Sequence, residues 1–455
     1  MKHLLLSALC ALGLSVHAAQ PNIIFVLIDD MGWTGTSVQI DPAMPGSKGT
    51  IFKTPHLEQL AESGMRFTNA YAPGPMCTPS RAGILTGKTP AEVKMTSPGP
   101  GRSQDYHKLA SGAKDASLST QLDTIARSLK ATGYATAHLG KWHIGRTAPD
   151  QYGYDVHDGI TTNEVPNSSP DNPKDIFGIT ERAFDFMETQ TAANTPFYLQ
   201  LSHYAVHTPI EARESSKALF QDVRSQGRDD ASGRAAMTYD IDHSIGRLRA
   251  KIEALGIADH TYLVVMSDNG GNGGGRRRGT ETTLNAGKGS LLEGGIRVPF
   301  FAMGPGIEAG SISRESITGC DLFPTFCDWA DTDIPNGLEG SSLADLLAGK
   351  VTELPERSLL FHYPHYGQGP RQKPQSALIL GDYKILYDWE SQIVQLFNLG
   401  NDLSEQSDLS KREPEKAEAM LALLNERLKT IDASLPQPNY NYDLNAEVPT
   451  GRNRK

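Results

Sequence analysis

Asn22-Ile23-Ile24-Phe25-Val26-Leu27-Ile28 runs straight into Asp29-Asp30-Met31-Gly32. A continuous apolar run enriched in β-branched side chains is the pattern of a strand covered on both faces of a parallel sheet. Two adjacent carboxylates at its C-terminal end are costly to bury unless something cationic sits between them. In an open α/β sheet that end is also where ligands bind. Either aspartate alone reads as an ordinary turn or helix-capping residue; the pair in this place favours a divalent metal.

Three more buried-strand patterns end in chemistry. Tyr134 to Leu139 terminates in Gly140-Lys141-Trp142-His143, and Phe197 to Ser202 in His203-Tyr204-Ala205-Val206-His207-Thr208-Pro209. Thr261 to Met266 gives Ser267-Asp268-Asn269-Gly270. Lys141 and His143, two residues apart, face one side if the chain there is extended; the bland reading is a solvated lysine beside a core imidazole. His203 reads as a core or supporting residue. Asp29, Asp30, Asp268 and Asn269 form an all-oxygen donor set, which suits a hard cation, calcium ahead of magnesium and unlike zinc.

Between these strands, Thr54-Pro55-His56-Leu57-Glu58 opens a helix with Thr54 as its cap. Residues 92–118 carry no apolar period and read as an inserted surface loop that could line a cleft. Helical spacing follows over Leu118 to Thr132, ended by Gly133, and again over Arg234 to Leu255. Asp240, Asp242 and His243 of that second helix are placed on polar faces.

Cys77-Thr78-Pro79-Ser80-Arg81 follows the turn Ala72-Pro73-Gly74-Pro75-Met76, with the first turns of a helix beginning at Arg81. The sulfur is thereby set over a helix N-terminus, with an arginine one turn on, where negative charge is favoured. A cysteine taken at random is a core or disulfide residue. Here, however, Cys-x-Pro-Ser-Arg running to Leu85-Thr86-Gly87 resembles the signature of the type I sulfatases of the alkaline-phosphatase superfamily. Gly140-Lys141-x-His143, His207-Thr208-Pro209 and the segment Ala286-Gly287-Lys288-Gly289 resemble further motifs of that family, in family order, over roughly residues 21–435.

The resemblance implies a large, mixed, mostly parallel sheet sandwiched by helices, with a smaller C-terminal α+β domain. It implies that Cys77 is oxidised before folding to Cα-formylglycine by a formylglycine-generating or anaerobic sulfatase-maturating enzyme, and that the hydrated aldehyde is the nucleophile. Carried over residue by residue, Asp29, Asp30, residue 77, Asp268 and Asn269 hold the metal, Ca2+ or alternatively Mg2+. Arg81 polarises the nucleophile, and Lys141 and Lys288 neutralise the sulfuryl oxygens. His207, with Lys288, gives a proton to the leaving oxygen, and His143 is the base that breaks down the sulfated intermediate. Glu293 and Arg297 read as holding the Lys288 loop together. Sulfated carbohydrate, of the kind desulfated by bacterial polysaccharide sulfatases, is the expected substrate. Arg276-Arg277-Arg278 in a glycine-rich lip reads either as a solvated loop or as a guanidinium cluster recruiting a polyanion. A phosphomonoesterase or phosphonate ester hydrolase using the same nucleophile, and a non-catalytic sulfated-glycan binding protein, are the alternatives.

With 455 residues the chain can build one large α/β domain and a smaller one. A net charge of −10 makes nucleic acid and anionic membrane poor partners. Residues 1–19 have a short basic start, an apolar run too short to span a bilayer and small residues near Ala19, which fits a cleaved signal peptide and a periplasmic or secreted protein. Of the remaining cysteines, Cys320 and Cys327 would lie about 10 Å apart on one helix, too far to bond. Both are expected in the core. The catalytic domain is assigned to 20–355. Residues 356–435 form the second domain, with strands over Leu359–His362, Ser376–Leu380, Tyr383–Trp389 and Val394–Asn398 and a helix over Glu413–Ile431. The tail, 436–455, is expected to be mobile or to lie along the surface.

Overall fold

An eight-stranded sheet carries the molecule. From edge to edge its strands are Val156–His157, Ala135–Gly140, Phe197–Ser202, Asn22–Ile28, Thr261–Ser267, Phe300–Met303, Met65–Tyr71 and Ser311–Thr318. The computed structural model describes residues 20–99, 103–112, 115, 117–224, 230–271, 284–367 and 372–446. Residues 1–19, expected to be a signal peptide, and Arg276, Arg277 and Arg278 lie outside the described residues. Only Phe300–Met303 runs antiparallel to its neighbours; every other pairing is parallel. Ile23 to Ile28 are all buried, with alternate residues contributing to the hydrophobic cores on opposite faces. This is why the run shows no polar alternation.

Register sets the site. Leu27 lies opposite Ser202, Ile28 opposite Ser267, and Gly140 opposite Ser202. The chain therefore leaves the sheet at one level in these four adjacent strands, and the next residues are Lys141, His203, Asp29 and Asp268. Backbone bonds continue the ladder one step past the strands: His203 N–H donates to the Leu27 carbonyl at 2.9 Å and Asp268 N–H to that of Ile28 at 3.0 Å.

A second, four-stranded antiparallel sheet is built from Ser358–Tyr363, Gln375–Leu380, Tyr383–Asp388 and Ile393–Asn398, covered by the helix Pro414–Thr430. Gly381, at φ 55°, makes the tight turn between its middle strands. Leu360, Leu378, Ile385 and Leu396 meet Met420, Leu424 and Leu428 of the helix in a separate small core. The other face of the sheet packs on Tyr71, Leu291 and Ile296 of the large domain.

Several local expectations are corrected. The helix expected from Leu118 spans only Ile125–Ala131, because the Thr124 side chain accepts from Arg127 N–H and caps it there. Thr54 does not cap its helix. Its hydroxyl takes the Ser37 N–H at 2.8 Å, and the Asp242 carboxylate instead accepts from His56 and Leu57 N–H at 3.1 and 2.8 Å. Asp242 and Asp240 are accordingly buried rather than on polar faces, Asp240 held by Arg213 and Ser216. Residues 92–118 are not all surface: Val93, Met95 and Leu118 enter the main core. In the same stretch Leu109–Ala110 pairs with Gln437–Pro438, laying the start of the tail along the surface. Cys320 and Cys327 are buried free thiols.

Candidate active site

The helix that carries Cys77 begins at Cys77 itself, one turn earlier than its sequence suggests, and is buried along its whole length to Thr86. Gly87, in the left-handed conformation at φ 64°, ends it by donating to the Gly83 carbonyl. Starting at Cys77 puts Arg81 four residues on, along the same face. Arg81 spans the site: Nε donates to Asp268 Oδ2 at 3.0 Å and a terminal nitrogen to the Lys141 carbonyl at 2.5 Å.

Around the thiol the strand ends converge. Cys77 Sγ donates to Asp29 Oδ1 at 3.2 Å, and Lys288 Nζ lies 3.2 Å from the sulfur and 2.6 Å from Asp30 Oδ1. Lys141 Nζ is paired with Asp29 Oδ2. Ligand atoms of Asp29, Asp30, Cys77 and Asp268 lie within 4.8 Å of one another, an arrangement that could hold a metal ion. Asn269 donates through Nδ2 to Asp30 Oδ1 at 2.8 Å, while its buried Oδ1 has no hydrogen-bond partner. A fully buried carbonyl oxygen left without a donor costs about 1–3 kcal/mol, so this one fits a cation ligand. With three carboxylates beside it and no imidazole, the donor set suits a hard ion.

The electrostatics follow from the packing. Burial alone would raise the Asp29 carboxyl, but Lys141, then Lys288 and Arg81, hold it well below the usual carboxylate range. Burial and the Asp29 charge push Asp268 up to about 7 despite Arg81. Burial, helped by Asp29, raises the Cys77 thiol far above its ordinary value, so the sulfur is protonated and not a thiolate nucleophile.

Lys141 and His143 are not on an extended stretch. The strand ends at Gly140, and His143 adopts φ 56°. Its backbone is pinned by N–H donation to the Thr161 carbonyl at 2.9 Å and by Thr78 Oγ1, which donates to its carbonyl at 2.7 Å. Burial, then the charges of Lys141 and Arg81, depress its imidazole to about 2, so the ring is neutral. His207 stands at the partly open edge, with Nδ1 on the Thr208 carbonyl at 2.6 Å and Nε2 4.0 Å from Asp30 Oδ2. His203 is wholly buried.

Among the described residues, Asp29, Asp30, Cys77, Arg81, Lys141, Asp268, Asn269 and Lys288 thus meet at one end of the sheet, with His143 and His207 beside them. Sequence reasoning missed Ser267 and Thr161. The Ser267 hydroxyl accepts from Met31 N–H at 2.9 Å and lies 3.0 Å from both the Ile28 and Asn269 carbonyls, lacing the two acidic loops together. Thr161 binds the Trp142 N–H and the Gly140 carbonyl, each at 2.7 Å, and shapes the bend before His143. A hydroxyl following or facing a strand end leaves no distinctive signal in sequence.

Glu293 and Arg297 do hold their loop, and they do more. Arg297 Nε donates to Glu293 Oε2 at 2.6 Å and another nitrogen to Tyr71 OH at 2.6 Å. Lys384 of the second sheet donates to Glu293 Oε1 at 2.9 Å and to Glu405 Oε1 at 2.8 Å, and Glu405 Oε2 accepts the Glu293 N–H at 2.8 Å.

A large, mostly parallel sheet with a buried cysteine, acids and lysines at its carboxyl end defines an alkaline-phosphatase-like hydrolase. The sulfatase family model matches residues 21–332, and the model of the C-terminal part of N-sulphoglucosamine sulphohydrolase matches residues 287–434. The chain belongs to the sulfatase family and is a sulfuric ester hydrolase. It is 30% identical to the N-acetylgalactosamine-6-sulfatase of Sus scrofa over 423 residues, covering 84% of this chain and 74% of that one. An ulvan-active sulfatase of Formosa agariphila is 27% identical over 472 residues, covering 94% and 86%. The crystal structure of Ps i-CgsB in complex with k-i-k-neocarrahexaose superposes with a TM-score of 0.76 at 26% identity, covering 93% of this chain and 95% of that one.

Proposed function

We propose that the protein removes sulfate from a sulfated carbohydrate, with residue 77 converted to Cα-formylglycine and a calcium ion held by Asp29, Asp30, Asp268 and Asn269. The observation that carries this reading is the convergence on residue 77 of three carboxylates, an unpartnered amide oxygen and two lysines. The converted residue supplies, as its hydrate, an oxygen nucleophile with a second hydroxyl beside it. Calcium, when bound, polarises that oxygen and offsets the charge of the sulfuryl group.

The chain's own groups supply the rest. Lys141 and Lys288 face the non-bridging oxygens, where fixed cations are worth most as charge shifts during transfer. Arg81, anchored on Asp268 and the Lys141 carbonyl, keeps residue 77 and Lys141 in register. His207 has Nδ1 committed to a carbonyl, so Nε2 is the atom that exchanges a proton with the leaving oxygen. His143, whose buried Nδ1 has no hydrogen-bond partner, is assigned the proton from a hydroxyl of residue 77 on position rather than on basicity. Burial of Cys77, at 2% exposure, closes it to a modifying enzyme once folded, which is consistent with conversion by a maturating enzyme before folding.

Carbohydrate as the substrate class is supported by the relatives named for N-acetylgalactosamine-6-sulfate and ulvan and by the neocarrahexaose complex; algal galactans and ulvan are the first polymers to try. The test is protein co-expressed with a maturating enzyme, incubated with sulfated glycans, their oligosaccharides, 4-nitrophenyl sulfate and the matching phosphate ester, with released anion measured. Sulfate release from a glycan is expected. Failure on every sulfate ester, or faster turnover of the phosphate, overturns the reading.

A further inference from the structure

Lys288 reaches the centre from a loop whose backbone is gripped on three sides. Its N–H donates to the Gly271 carbonyl at 3.3 Å, and the next N–H, of Gly289, donates to the Pro75 carbonyl at 2.8 Å. The third grip comes from the other domain. Gln372, three residues before the strand Gln375–Leu380 of the second sheet, donates through Nε2 to the Lys288 carbonyl at 2.8 Å. Two glycines make room for that side chain. A Cβ on Gly289, at φ 83°, would lie 2.2 Å from Gln372 Nε2, and one on Gly367 would lie 2.1 Å from its Oε1. The Gln372 backbone is itself tied down, its carbonyl accepting the Gly367 N–H at 2.8 Å.

We propose that Gln372 is a positioning residue: by fixing the Lys288 carbonyl from the second sheet, it sets the Lys288 ammonium against residue 77 and Asp30. The inference rests on the sulfatase reading for its catalytic consequence but on geometry alone for its structural one. A lysine on a flexible stem delivers charge usefully only if its backbone is fixed, and a displacement of about 1 Å at a reacting centre can cost ~100-fold in rate. Neither Pro75 nor Gly271 can replace this contact, because both bind N–H groups and leave the carbonyl to Gln372.

The test uses the matured, calcium-loaded protein and two variants. Gln372→Met keeps the length without the donor, and Gln372→Glu keeps the shape without the N–H. Hydrogen exchange of peptides covering 284–297 should speed up in both variants, whether or not a substrate is in hand. On a sulfated oligosaccharide and on 4-nitrophenyl sulfate alike kcat should fall about 10- to 100-fold with KM little changed, because Lys288 faces non-bridging oxygens that both esters carry. Melting temperature should hold. Unchanged exchange in 284–297 overturns the proposal, as does a loss of activity accompanied by a lowered melting temperature. A wild-type protein that releases no sulfate at all would instead overturn the sulfatase reading, and the exchange experiment would still decide the role of Gln372.

Discussion

Two buried clusters of charge lie on either side of the Lys288 loop, and they are built from the same materials to opposite ends. Around residue 77, Asp29, Asp30 and Asp268 meet Arg81, Lys141 and Lys288; under the second sheet, Glu293 and Glu405 meet Arg297 and Lys384. In the second cluster each carboxylate is bonded to a cation, and Tyr71 and a backbone N–H fill the remaining positions. In the first, the Asn269 oxygen and His143 Nδ1 are buried without partners. A network with every group satisfied fixes a structure; one that keeps open acceptors among like charges is arranged for something that arrives later. Burial and charge alone do not separate the two. The unfilled positions do.

The sharpest way to break the contrast is Cys77→Ala. It should abolish sulfate release while leaving the melting temperature nearly unchanged, as read by ion chromatography and calorimetry. The converse change, Lys384→Met, should leave Glu293 and Glu405 buried without their shared cation and cost about 3–5 kcal/mol of stability. The surviving folded fraction should keep much of its kcat; a collapse of kcat per folded molecule would mean that the two clusters are coupled. Calcium at 100 times its Kd should stabilise the protein by about 2.7 kcal/mol. That gain should vanish in Asp30→Asn yet persist in Glu405→Gln; equal gains in both would show that the ion binds elsewhere.

The smallest effect is a single histidine's share of the pH dependence. Burial depresses His138 and His203, on the catalytic side, to about 3, and His362, in the second sheet, to about 4. These rings are neutral when folded and titrate near 6.5 when unfolded, so the unfolded chain takes up more protons below that value. Stability is then full above pH 6.5 and is lost as pH falls towards 4, by about 1.4 kcal/mol per pH unit for each histidine. Denaturant titrations between pH 7 and 5 should show this slope, reduced by one histidine's share in His362→Gln.

What could be read from the sequence was whatever a strand end declares. Asp29-Asp30, Lys141, His207 and Asp268-Asn269 each follow a buried apolar run, and parallel register does the work of bringing them level. The conformation of His143 could not be read, because it depends on Thr161 and Thr78, distant in sequence and ordinary in type. Nor could the cap at Pro55, supplied by Asp242 from another helix in place of the adjacent Thr54. Gln372 gave no signal for the same reason: a single amide in a loop has meaning only beside the carbonyl it meets.

The segment around Lys288 falls within both family models, which overlap over residues 287–332, and it is clasped by Gln372, Lys384 and Glu405 from the far side. The two halves are therefore poor candidates for exchange as independent modules. A chimaera that borrows the second sheet from a relative must import matching partners for residues 284–297, or it will inherit a lysine aimed at the wrong place.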